Sequence, residues 1–245
     1  MRSSAPHYRA AGALLCCAAL SSAALSPAAA ANEQPRPAVV ELFTSEGCSS
    51  CPPAEAYLGE LAQRREVLAL AYHVDYWDDL GWRDRFGLPE AVQRQRAYAK
   101  ALGLSTVYTP QAVIDGQENL VGSDRRSIAK ALEKKRSGVP IALSARDGEV
   151  VVDLSEQANA APSDVVLIAF QRSASSRIGR GENAGRTLEE YNVVRDLRRL
   201  GRWDGEKRQY RFPARSLPPE ATDVALLVQP LGQAPIIGAA TLALR

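Results

Sequence analysis

Cys48 and Cys51 are separated by Ser49 and Ser50, a spacing that suits one disulfide or two ligands of a soft metal ion. Disulfide exchange needs a thiolate, and the free N–H groups and dipole of a helix N-terminus stabilise one. The residues behind the motif supply a helix, because Ala54, Tyr57, Leu58, Leu61 and Ala62 recur at helical spacing. Two starts fit. Either Cys48 caps a helix that runs through Ser49 and Ser50, or Cys51 caps it with Pro52 in the first position. Two consecutive prolines deep in a helix would lose hydrogen bonds and clash. Both versions put Cys48 at the positive end. It comes first and is expected to be the more exposed, so it is assigned as the attacking thiol, with Cys51 resolving. A bridge across two residues closes a loop too small to restrict the unfolded chain much. Chemistry is therefore a better reason for this pair than stability.

The elements around the motif follow from the apolar pattern. Ala38–Thr44 and Val67–His73 are almost continuously apolar, as strands buried on both faces are. With the helix between them they form a βαβ unit, whose strands should be parallel. Ligands in such sheets collect at the carboxyl ends of the strands. That places Cys48, His73, Asp75, Tyr76 and Trp77 on one edge. Asp75–Phe86 reads as an aromatic and acidic loop, in which Trp77 and Trp82 form either a substrate lip or local packing. Pro89 opens a helix to about Leu102. Thr109-Pro110 precedes a short strand, Asp115-Gly116 turns a hairpin, and Ser123 or Asp124 caps a last helix. After Pro140 the pattern changes to strands at 141–145, 149–154, 165–171, 208–212, 224–230 and 236–244. Thr187–Leu200 reads as a short helix or irregular crossover. Strands without long helices suggest a β-sandwich. The expected class is therefore α/β, with an α/β domain over 38–137 and a β-sandwich-like domain over 140–245.

The first 31 residues read as a cleaved secretory signal peptide. Arg2, His7 and Arg9 are basic, Ala10–Leu25 is apolar, and Ser26–Ala31 offers small-residue cleavage sites. Asn32–Pro37 then reads as a flexible leader. Cleavage would remove Cys16 and Cys17 and leave 28 basic residues against 28 acidic ones. Nothing in that balance calls for nucleic acid, and no later segment is apolar enough to span a bilayer. The expected location is periplasmic or secreted, an oxidising environment where disulfides persist. A Cys₄ zinc site is excluded with two cysteines left. A copper or zinc site from Cys48, Cys51 and His73 is the competing reading, against His73 as a hydrogen-bonded structural residue. Arg172–Arg215 is arginine-rich. Within it Arg180–Arg186 looks loop-like and could meet an anion, but a solvated, internally paired face is the preferred reading.

With the strand Val39–Phe43, the C-x-x-C, the helix, the return strand and Thr109-Pro110, the chain resembles the thioredoxin superfamily over about residues 38–136. Tyr72-His73-Val74-Asp75-Tyr76 is similar to the strand end of periplasmic DsbA-type oxidoreductases. More narrowly, the Leu42–Ala54 run and Tyr191-Asn192-Val193-Val194-Arg195 resemble a family of secreted bacterial proteins of unknown function with a C-terminal β-rich region. The resemblance implies a thioredoxin-like domain and a cis Thr109-Pro110 bond whose backbone pairs with an extended substrate. It also implies a buried acid, Glu41, that exchanges a proton with Cys51. A solvated strand-end glutamate is the alternative for Glu41, which stands one residue further from Cys48 than the family's acid. The implied catalytic set is Cys48, Cys51, Pro110 and Glu41. Thr109, Asp75, Tyr76 and Trp77 are implied for substrate, with no metal and no cofactor. The partners would be protein or small-molecule thiols and a redox partner protein, and the rival function is a copper chaperone or a non-catalytic binding module. Ser49-Ser50 departs from the dipeptides Gly-Pro and Pro-His, so the direction of electron flow stays open.

Overall fold

The computed structural model describes Met1 and residues 34–244. Apart from Met1, the expected signal peptide lies outside the described residues. Among the described residues thirteen strands and three α-helices follow one another. β1 (Gln34–Pro35), β2 (Ala38–Thr44), α1 (Pro52–Leu61), β3 (Val67–His73) and α2 (Pro89–Ala101) come first. β4 (Gln111–Ile114), β5 (Glu118–Val121), α3 (Arg125–Leu132) and β6 (Ser137–Gly138) follow. Then come β7 (Ile141–Arg146), β8 (Glu149–Leu154), β9 (Ser163–Arg177), β10 (Thr187–Trp203), β11 (Arg208–Pro213), β12 (Asp223–Pro230) and β13 (Gly238–Ala243). Among the described residues no helix is long and apolar enough to cross a membrane.

One sheet organises the chain. Its order is β13-β12-β9-β10-β3-β2-β4-β5, and a separate three-stranded sheet runs β11-β8-β7. β2 and β3 are parallel, in register from Ala38–Val67 to Thr44–His73, with α1 between them in sequence. Every residue of both strands is buried, which accounts for their unbroken apolar runs. The positive φ angles of Asp115 (51°) and Gly116 (71°) make the expected tight turn between β4 and β5. Asp124 caps α3, its carboxylate accepting from the Ser127 N–H at 3.0 Å.

The expected α/β class is overturned. The described residues are mostly β, 42% strand against 17% helix, and their largest element is the mixed eight-stranded sheet. Nor do the later strands form a sandwich of their own. β9, β10, β12 and β13 extend the sheet that β2 and β3 begin, through a parallel pairing of Val193 with Ala71. A single apolar cluster on the α2 face contains Val39, Phe43, Leu70 and Tyr72 together with Val166, Ile168, Val194 and Leu227. The small sheet packs on the other face, where Val150, Val152 and Leu154 meet Val165, Leu167, Val224 and Leu226. Periodicity reports which residues are buried but not which strands neighbour one another, and that was the missing fact.

Two local expectations also change. Thr187–Leu200 is neither helix nor crossover but most of β10, a 17-residue strand bulged between Val194 and Asp196 and between Arg199 and Gly201. Those bulges interrupt the alternation that would have marked a strand. The leader is tied down from Gln34 onward. β1 pairs with β6, and the Arg36 guanidinium donates to Asp115 at 2.7 Å and to the Ile236 carbonyl at 2.8 Å.

Candidate functional site

Cys48 and Cys51 are joined as a disulfide. Of the two helix starts, the second is the one formed: Cys51 is the N-cap of α1 and Pro52 opens it. Proline fits there because the first helical N–H has no partner to lose. The Cys51 carbonyl accepts from the N–H groups of Ala54 and Glu55 at 2.8 and 3.1 Å. Cys48 was expected to be the more exposed thiol, but the two cysteines are 1% and 0% exposed.

The cover comes from far along the chain. Residues 178–186, the tip between β9 and β10, lie over the motif. The buried Asn183 amide donates to the carbonyls of Glu46 and Cys48 at 2.9 and 3.0 Å. The Ser49 N–H donates to Glu182 at 3.1 Å. A Cβ at Gly179 or Gly181 would sit 3.3 or 3.1 Å from the nearest atom of the Trp82 side chain. The Trp82 indole in turn donates to Glu46 at 2.7 Å. The loop-like segment read from the sequence as a solvated face is thus the roof of the disulfide, and Trp82 carries that roof rather than forming an open lip.

Pro110 follows a cis peptide bond. It borders the first turn of α1, since a Cβ at Gly122 would lie 3.0 Å from Pro110 Cβ and 3.2 Å from Ala54 Cβ. Trp77 joins these loops. Its indole donates to the Thr109 hydroxyl at 2.9 Å, and its Cβ lies 3.1 Å from where a Gly47 side chain would begin. The Tyr76 hydroxyl donates to Gln95 at 3.2 Å, toward α2. Asp75 starts the same loop, its carbonyl accepting from the Asp78 N–H at 3.1 Å. Cys48, Thr109, Pro110 and Trp77 therefore lie along one edge, while the Tyr76 hydroxyl turns toward α2.

Glu41 is not brought to that edge. It faces α2 with Val39 and Phe43, while Val40 and Leu42 face α1. Arg94 Nε donates to one Glu41 oxygen at 2.5 Å and Nη2 to the other at 3.0 Å. The Tyr98 hydroxyl also donates to Glu41. Gln229 of β12 closes the network, accepting from Arg94 at 3.0 Å and donating to the Tyr98 hydroxyl at 3.1 Å. The solvated alternative does not hold either, since Glu41 is fully buried.

Instead, the ionisable groups on the α1 side form a cluster that sequence reasoning did not assemble. His73 ends β3, fully buried, with Nδ1 2.8 Å from Asp84 and Nε2 3.6 Å from Glu190. Asp84 also accepts from the N–H groups of Glu46 and Phe86, both at 2.8 Å. Glu55, in the first turn of α1, accepts from the Thr44 hydroxyl. Burial, followed by the charge of Glu190, pushes the Glu55 pKa up to about 8. Burial and then the Asp84 charge raise that of Glu46. Burial alone would lower the His73 pKa, but Asp84 and Glu190 outweigh it and hold it well above the ordinary histidine value. His73 thus faces carboxylates through both nitrogens. Nothing in the sequence singled out Glu55, and Glu190 lay in a stretch read as a short helix or irregular crossover. Only the pairing of β10 with β3 brings them together.

Residues 39–229 match the family described as "Protein of unknown function (DUF1223)", and the chain belongs to that family. Among solved structures it is similar to a protein of Agrobacterium tumefaciens determined by X-ray crystallography. The two are 33% identical, and the match covers 86% of this chain and 95% of that one with a TM-score of 0.75. It is also similar in fold to HBP35 of Porphyromonas gingivalis, at 16% identity over 86% of this chain and 76% of that one, with a TM-score of 0.58. No curated protein matches the chain.

Proposed function

We propose that this protein is exported and exchanges disulfides with protein or small-molecule thiols through Cys48 and Cys51. The observation that carries the reading is the Cys48–Cys51 bond at the N-terminus of α1, bordered by cis Pro110. Kinship with the thioredoxin superfamily belongs to the proposal. It rests on these local pieces and on the parallel β2–α1–β3 unit, not on the architecture of the whole chain. Export rests on the apolar, small-residue N-terminal segment.

In the oxidised protein a substrate thiolate attacks Cys48 Sγ. The Cys48–Cys51 bond breaks, a mixed disulfide forms, and Cys51 leaves as a thiolate. A second substrate thiolate then attacks the substrate sulfur of that mixed disulfide and releases the Cys48 thiolate. The substrate has lost two electrons to the protein, and the reverse sequence reduces a substrate disulfide. The N–H groups at the start of α1 favour the thiolate at Cys48 in either direction. Burial of Cys48 adds a condition: the 178–186 tip must swing away before a substrate sulfur can reach it.

The test is trapping. Cys51→Ser should retain partner proteins as mixed disulfides through Cys48, seen as reducible adducts on a non-reducing gel, whereas Cys48→Ser should not. Equal inertness of both variants would overturn the reading.

A further inference from the structure

We propose that Glu55, His73 and Glu190 bind one divalent transition-metal ion, of which zinc is the representative, beneath the first turn of α1. The three offer a nitrogen and carboxylate oxygens that all lie within 4.8 Å of one another. This is the donor set of oxygen- and imidazole-binding ions such as zinc, not of a soft thiolate site.

Four observations support the assignment. First, most of the ligand atoms make no hydrogen bond. His73 Nε2 and both carboxylate oxygens of Glu190 are buried without a hydrogen-bond partner, and burying a charged group unpaired is costly. Second, among the described residues neither Glu55 nor Glu190 forms an ion pair with lysine or arginine. Glu55, Glu190 and Asp84 bring three buried carboxyl groups to the single histidine His73, and a divalent ion would balance the acid that one imidazole cannot. Third, the Nε2–Glu190 separation of 3.6 Å is too long for a hydrogen bond. It is close to the ~3.4 Å between two ligands held ~2.1 Å from a tetrahedral centre. Fourth, the supporting shell is in place. Asp84 accepts the Nδ1 proton of His73 at 2.8 Å, which directs the Nε2 lone pair at the site, the carboxylate–histidine–metal arrangement. Thr44 fixes Glu55.

Without an ion, protons take its place on the same atoms, and metal binding releases them. The ligands come from α1, β3 and β10, so the ion would fasten the helix behind the disulfide to the point where β10 joins the sheet. All three ligands are buried, which suits a structural ion that exchanges slowly. This inference does not depend on the redox reading.

The test uses the full mature chain in its oxidised form, stripped with a chelator and titrated with Co²⁺ and Zn²⁺ alone. One equivalent should bind, with visible Co²⁺ bands and no sulfur charge-transfer band. Binding should persist in the Cys48→Ser/Cys51→Ser variant and raise the melting temperature of the wild-type chain. Glu190→Gln, close in shape, should abolish stoichiometric uptake, and Asp84→Asn, acting through His73, should weaken it about tenfold or more. Absence of stoichiometric uptake by the wild type would overturn the proposal and mean that the cluster shares protons alone. Uptake unaffected by Glu190→Gln but lost with the cysteines would also overturn it.

Discussion

At the scale of single residues, the site is defined as much by Asn183 as by the cysteines. Its side-chain amide closes the roof with two hydrogen bonds to backbone carbonyls beside the disulfide. Each such bond contributes about 1 kcal/mol. Asn183→Ala should then raise the population of the uncovered state by up to roughly thirtyfold, and the rate of reduction by a small thiol should rise with it. An unchanged rate would mean that the roof does not limit access. The sequence showed the cysteines because their chemistry is local: two atoms, three positions apart, ahead of a helix. Asn183 and Glu182 lie more than 130 residues from the groups they meet beside the disulfide, Glu190 is far in sequence from His73, and nothing in their neighbours' pattern signals such a meeting. Glu41 illustrates the opposite failure. Its residue type suited a proton carrier, but strand alternation turns it away from α1, as the β-pleat requires of neighbours of Val40 and Leu42.

At the scale of elements, buried polar networks join segments that periodicity treats as independent. Arg94 on α2 holds Glu41 on β2 and Gln229 on β12 at once, all away from solvent. Removing one partner of such a pair leaves a buried charge unbalanced. Arg94→Met should cost about 3–5 kcal/mol of stability, read as a lower urea midpoint, and adding Glu41→Gln should recover part of it. A loss well under 1 kcal/mol in the single variant would show that the network is not holding these elements together. The three helices, β2, β3 and the tight turns were legible because each follows from local pattern and turn chemistry. β10 was not, because its bulges break the two-residue period and its partners are fixed by tertiary pairing.

At the scale of the whole molecule, the eight-stranded sheet puts the C-x-x-C and its cover on one framework. β9 and β10 extend the sheet and also supply the roof, so the later strands belong to the site. That arrangement suits either a disulfide that cycles behind a gate or one sealed in as a permanent bond, and the two differ in reduction potential. The direct measurement is equilibration of the chain from Asn32 onward with glutathione or dithiothreitol buffers, followed by alkylation and mass determination of the Cys48/Cys51 pair. Exchange as its function predicts one two-electron transition between about −120 and −270 mV, the span of thiol-disulfide exchange proteins. A pair that stays oxidised below about −300 mV would be a structural disulfide and would contradict the proposed activity.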